Sequence, residues 1–154
     1  MSAMIAWIRS VNRLTAKLEW LATPLALATR IYVSWVFLKS GYLKISDWGS
    51  TLFLFHDEYR VPLLPPDVAA VLGTGGELLF PLLLIPGLMG RLGALGLSFV
   101  NVMAVISYAH VLLSEGYEAA IRQHYLWGFM LAVLAIYGPG AASVDHLIER
   151  RTRI

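Results

Sequence analysis

Arg30 and Glu77 are a base and an acid set alone in apolar sequence, and a buried pair of that kind can hold helices in register, carry a proton or bind a polar ligand. Leu21 to Leu38 is interrupted only by Arg30, and Val68 to Gly90 only by Glu77. Leu92 to Ser114 and Tyr125 to Val144 carry no charged side chain. About 20 apolar residues in a helix cross a hydrocarbon layer, so each stretch is long enough. An Arg at the centre of such a span costs about 2.5 kcal/mol or more, so its retention asks for a reason.

On a helix, Ser34, Phe37, Gly41 and Lys44 fall within about 40° of Arg30, while Lys39 points the opposite way. That face offers a cation deep inside, a hydroxyl, a glycine permitting close approach and a cation at the mouth. Glu77 follows Gly73 by one turn, and Pro81 four residues later lacks the N–H that would bond the Glu77 carbonyl. A carboxylate, a freed carbonyl and a kink are therefore expected together, with Arg30 within roughly two turns of that depth. Two compatible readings follow. One is an Arg30–Glu77 pair that fixes register, and the other a carboxylate that carries a proton or binds a ligand.

His110 and His124 end the third apolar stretch and precede the fourth, on the same side, and imidazoles so placed could ligate haem or a metal. Interfacial hydrogen bonding is the plainer reading of two such histidines. His56-Asp57-Glu58 offers three ligand types, but adjacent helical residues point apart, so one segment cannot chelate with all three. Asn101 and Ser107 are placed for interhelical hydrogen bonds, and Gly90, Gly93, Ala94 and Ser98 for close packing. There is no nucleotide loop, no HExxH, no Ser/His/Asp set spaced for hydrolysis and no self-sufficient catalytic motif, which leaves open whether the chain is an enzyme. With no cysteine among 154 residues, thiol redox chemistry, thiolate zinc and iron–sulfur ligation would have to come from a partner.

The elements that must position these residues are helical and membrane-spanning. Hydrophobic residues make up 58% of the chain and charged ones 14%, against about 25% charged in soluble domains. Mean hydropathy is +0.66. A core of this size cannot hide so much apolar surface from water, but a bilayer can. The fold expected is an all-α, four-transmembrane-helix bundle in a single domain, 1–154, with spans at about 24–43, 68–89, 92–113 and 124–142. Residues 1–22 read as an amphipathic helix lying in the interface, with a cytoplasmic helix docked on a partner as the alternative. The first span would serve as an uncleaved insertion signal.

Between the first two spans, Asp47 to Phe55 reads as a short outer-face helix capped by Ser46 or Asp47. Pro62, Pro65 and Pro66 then force an extended run, and Asp67 is placed to cap the second span. Arg9, Arg13, Lys17, Arg91, Arg150, Arg151 and Arg153 fall on one side of the bundle, against Lys39, Lys44, Arg60 and Arg122 on the other. The positive-inside rule then places both termini in the cytoplasm. The net charge of +2, with no basic face interleaved with aromatics, gives no reason to expect a nucleic-acid partner.

Arg30…Ser34…Phe37…Gly41…Lys44, then Asp47-Trp48, Glu77 and Gly138-Pro139-Gly140…Ser143-Val144-Asp145, resembles the DoxX-like family of small bacterial inner-membrane proteins. The likeness runs from about Ala28 to Ile148. Ser50 to Phe55 and Val61 to Pro66 look closer to one subgroup, encoded beside iron-dependent peptide-modifying enzymes and copper-handling peptides. The resemblance implies a four-helix inner-membrane protein linked to thiosulfate:quinone oxidoreduction or to oxidative and thiol stress.

Two functions from different classes follow. The first is an accessory inner-membrane subunit of a redox or metal-stress system. Its polar interior (Arg30, Ser34, Lys44, Glu77 and His124) would bind a quinone-like or small polar ligand or relay protons, with haem a lesser candidate than quinone. The second is a non-catalytic anchor or scaffold that recruits a periplasmic protein through Trp48 and Phe53. A homo-oligomer in the bilayer is open under both, and a transporter of a small peptide or ion would need one to line a path.

Overall fold

The computed structural model describes residues 2–152, so Arg153, counted above with the cytoplasmic cations, lies outside it. Every described element is helical. Helix α1 spans Ser2–Ala16, α2 Ala22–Ser46, α3 Trp48–Phe53, α4 Pro66–Leu84, α5 Gly90–Ser107, α6 Ala109–Leu112, α7 Glu118–Tyr137 and α8 Val144–Thr152. Four segments are long and apolar enough to cross a membrane: Met4–Ser46, Pro66–Leu84, Gly90–Ser107 and Glu118–Tyr137. Outward-facing Tyr32, Trp35, Leu79, Leu82, Leu95, Phe99 and Phe129 give the bundle an apolar exterior. Lipid is the solvent such a surface requires.

The long helices alternate in direction, α2 against α4, α4 against α5 and α5 against α7, with a lighter α2–α7 contact closing the ring. The start of α2 and the end of α7 therefore lie at one end of the bundle, here the terminal end. The α2–α4 and α6–α7 connections lie at the far end. Val33, Phe37, Leu84, Ala94, Leu97, Leu131 and Leu134 form the core. Small residues set the helix spacing. A Cβ on Gly93 would lie 3.1 Å from both the Leu84 nitrogen and the Phe80 oxygen, and one on Gly41 2.9 Å from Leu78.

Four boundaries depart from expectation. No turn separates the N-terminal helix from the first span: Lys17–Leu21 is 3-10 helix and the residues joining it to α1 and α2 keep right-handed helical angles. Most of the described side chains of α1 are exposed, Val11 being half-buried. The second span ends at Leu84 rather than near 89, because a turn through Gly87 (φ +68°) and Met89 (φ +50°) intervenes. The third breaks at Tyr108 before α6. The fourth begins earlier, at Glu118, and ends at Gly138 (φ +88°).

The terminal end is latched by hydrogen bonds. The Asp145 carboxylate accepts from the Met89 and Gly90 amides at 2.8 Å each, capping α5 from across the fold. Val144 and Asp145 donate their amides to Pro86 and Gly87 carbonyls at 3.0 Å. Ser143 Oγ accepts from the His146 amide at 3.2 Å, starting α8 in what reads from sequence as a plain tail. Arg91 Nη1 donates to the Ile136 carbonyl at 2.9 Å, satisfying the end of α7.

At the far end, Asp47 caps α3 as expected, accepting from the Ser50 amide at 3.0 Å and its hydroxyl at 2.7 Å. Those bonds hold the Asp47 carboxyl below its ordinary range. Asp67 does not cap α4. The cap position is Pro65, with no side-chain bond, and Asp67 pairs with His56 Nε2 at 2.9 Å. A π-helical turn, Leu54–Glu58, follows α3 and turns Phe55 inward against Ala69 and Ala70.

Candidate functional site

The face of α2 expected to line one pocket is split between the two ends of the bundle. Antiparallel pairing sets Gly41 opposite Glu77 and Leu78, and Arg30 against Gly87. Arg30 and Gly41 are 11 residues apart, about 16 Å along a helix. The expected Arg30–Glu77 pair does not form, and neither Arg30 nor Ser34 lines the cavity that Glu77 faces. Arg30 is wholly buried and donates Nη2–H to the Ala142 carbonyl at 2.6 Å, with Asp145 in Coulombic reach. Its Nε and Nη1, and Ser34 Oγ, have no partner among the described residues. Arg30 thus belongs to the latch at the terminal end.

The partner of Glu77 is Lys44. Lys44 Nζ donates to Glu77 Oε1 and Oε2 at 2.8 and 2.7 Å, and to Ser40 Oγ at 2.8 Å. Ser40 Oγ in turn donates to Glu77 Oε1 at 3.2 Å. All three ammonium donors are used, which is what a charge pair withdrawn from water requires. Lys44 is not at an open mouth. The last turn of α2 is level with Gly73, so α4 projects beyond it, and α3 with the π turn fills the step. Thr51 Oγ1 donates to the Lys44 carbonyl at 2.9 Å and fastens that roof. Ser40, which sequence reasoning missed, lies four residues before Lys44 and one helical turn away, the one signal that could have found it.

The pair forms the polar wall of a cavity of about 560 Å³ in the far half of the bundle. Phe37 and Phe80, Phe55 and Tyr59 of the roof, Tyr108, and His124 and Trp127 of α7 supply aromatic rings to the remaining wall. The aromatic rings brace one another edge to face: Phe55–Tyr59 at 4.9 Å, Tyr59–Tyr108 at 5.2 Å and Phe37–Trp127 at 5.9 Å between centroids. Burial, then Tyr108, Glu77 and Glu58, push the Tyr59 phenol above its ordinary range, so it remains a neutral O–H. Trp127 lines the chamber, and its Nε1–H is buried without a partner among the described residues.

His124 is held by Asn101. Asn101 Nδ2 donates to the His124 carbonyl at 3.0 Å, which leaves Asn101 Oδ1 to accept from His124 Nδ1–H at 2.8 Å. Nδ1 therefore carries a proton, and in the neutral imidazole Nε2 is the accepting nitrogen. His110 stands edge-on to Tyr108 at 5.5 Å, and no three metal-ligating side chains gather among the described residues. Glu58 accepts from the Tyr108 hydroxyl at 3.2 Å while His56 pairs with Asp67, so the His56–Glu58 run does point apart. Trp48 is half-buried against the Phe55 cluster, whereas Phe53 is 60% exposed.

The DoxX family model matches residues 25–110. The chain belongs to the DoxX family. It is a multi-pass membrane protein, and the matched region carries Arg30, Lys44 and Glu77 but stops short of His124 and Trp127. An uncharacterized protein of Haemophilus influenzae is 28% identical over 131 residues, covering 80% of this chain and 83% of the relative. No solved structure matches this DoxX protein.

Proposed function

We propose that the protein is an accessory inner-membrane subunit of a redox or metal-stress system, with both termini cytoplasmic, and that its cavity binds a quinone-like ligand. The observation that carries this reading is the joining, in one aromatic chamber, of the Lys44–Glu77 pair with a partnerless Trp127 N–H. The volume lies within the roughly 300–1,000 Å³ of small-molecule sites, which are mostly apolar with a few convergent polar groups.

A quinone would supply two-electron, two-proton redox chemistry when bound. The chain's own groups have separable tasks. Phe37, Tyr59, Phe80 and Trp127 receive a flat ring. Trp127 Nε1–H and the Tyr59 hydroxyl can donate to a carbonyl oxygen, and His124 Nε2 can accept from a hydroxyl. The Lys44–Glu77 pair gives the chamber a fixed dipole. The roof from Thr51 to Tyr59 keeps water from the pair.

The fully exposed Leu63 (φ +68°) and the exposed Phe53 at the far end favour a partner-docking surface there, which agrees with the scaffold reading and can coexist with the first.

Trp127→Phe removes the free donor and keeps the ring. Its affinity for a benzoquinone head, read by equilibrium binding of the tritiated compound in phosphatidylcholine nanodiscs, should fall about fivefold to tenfold, one hydrogen bond's worth, with stability unchanged. Unchanged affinity would remove Trp127 from the site, and no binding by the wild type would refute the quinone reading.

A further inference from the structure

The walls of the chamber are not equally closed. Gly41 against Leu78 seals α2 to α4, and the Asn101–His124 bonds seal α5 to α7. Overhead, the Arg60 amide donates to the Ser107 carbonyl at 2.8 Å and ties the connection to the end of α5. Between α4 and α5 the helices touch where a Cβ on Gly76 would lie 2.8 Å from Val100. On either side of that crossing the cavity is lined by side chains that also stand on the outer surface, Leu72, 59% exposed, on the roof side and Phe99, 67% exposed, one residue before Val100. Leu64, 40% exposed, is a third, in the connection before α4. A residue that both lines a cavity and faces outward marks its opening. This opening lies within two membrane-spanning helices, so what it faces is the acyl region of the bilayer.

We infer that the chamber is entered sideways from the lipid between Leu72 and Phe99, and that its occupant is an amphiphile with an uncharged head and an apolar chain. The head lies in the chamber and the chain leaves through the α4–α5 window. This rests on the reading of the chamber as a ligand site and adds the route and the class of molecule.

The head is uncharged because Lys44 and Glu77 already neutralise each other and the three Lys44 donors are taken. An anionic head, a phosphodiester included, would set a second negative charge beside Glu77 in a low-dielectric chamber, and a cationic head a second positive charge beside Lys44. A neutral group with an acceptor can pair with the Trp127 N–H without adding a charge to the chamber. The chain is apolar because the window offers it only Leu72, Phe99 and lipid, and each methylene kept from water contributes about 0.8 kcal/mol.

The test uses two tritiated probes in phosphatidylcholine nanodiscs: decylubiquinone, and the same dimethoxy-methyl-benzoquinone head without its chain. Leu72→Trp and Phe99→Trp fill the window from two helices, so a folding defect in one leaves the other. Val71→Trp, on the neighbouring lipid-facing position outside the cavity lining, is the control. The expected result is a loss of about tenfold or more in decylubiquinone affinity for both window variants, with a smaller loss for the bare head and no change in Val71→Trp. Wild-type affinity for decylubiquinone in both window variants would overturn the lateral route while leaving the head site standing. Failure of the wild type to bind either probe would overturn the ligand site and the route together.

Discussion

Glu77→Ala should lower stability by about 3–5 kcal/mol, the cost of leaving a buried charge without its counterion. The side chains of Lys44 and Glu77 are only 17% and 10% exposed, and α3 roofs the pair, so the orphaned ammonium has little water to turn to. Lys44→Met should cost a similar amount by stranding the carboxylate. The double variant Lys44→Met/Glu77→Leu should recover all of that loss, because well-packed apolar residues in place of a buried pair are neutral or up to about 4 kcal/mol stabilising. SDS-induced unfolding followed by circular dichroism measures all three. If the double variant were as unstable as either single one, the pair would not be the self-contained electrostatic unit its hydrogen bonds describe.

Gly87→Ala should cost about 2–5 kcal/mol at the other end of the molecule. The residue sits at φ +68°, where a Cβ adds about 1–2 kcal/mol of backbone strain. That Cβ would also overlap the Arg30 guanidinium and Ser143, and overpacking adds about 1–3 kcal/mol. Since the damage lies about two helical turns from the nearest chamber residue, Phe80, ligand affinity in the folded fraction should not change. Gly75→Ala is the control: a Cβ there meets nothing within 4 Å, and Ala is favoured over Gly in a helix by about 1 kcal/mol. The same unfolding titration reads the stability, and nanodisc binding reads the affinity. Lost affinity in Gly87→Ala would mean that the two polar centres are coupled after all.

How far these features are legible in sequence depends on how local they are. The spans follow from apolar run lengths, which a bilayer dictates directly, and the Asp47 cap from a contact three residues long. Glu77 stands out because an acid in lipid is costly, and Lys44 because it falls on the right face of α2. Their pairing was not legible. Depth along antiparallel helices depends on where each starts, and α4 overshoots α2 by the height of α3 and its π turn. Glu77 lies 11 residues into α4 and Lys44 only two residues from the end of α2, so only that overshoot brings them level.

The roof was out of reach for a different reason. Phe55 and Tyr59 reach the chamber only because a connection rich in proline folds back and bonds Arg60 to Ser107, a contact 47 residues long (107 − 60) that periodicity cannot see. Asp67 looked like a helix cap because it follows proline at the start of a span. It is drawn away by His56, which a tertiary bend brings to 2.9 Å. The Gly138 to Asp145 run reads as a motif. Its work, closing the terminal end around Arg30 and α5, required Ala142 and Asp145 to meet residues on two other helices.

The central claim is that the Lys44–Glu77 chamber holds a lipid-soluble, uncharged carbonyl compound. Its most direct test is mass spectrometry of what organic extraction releases from the wild type and from Lys44→Met/Glu77→Leu, both purified in mild detergent. Near-stoichiometric retention of such a compound by the wild type and its loss from the folded double variant is the predicted result. Equal retention by both proteins, or none by the wild type, would contradict it.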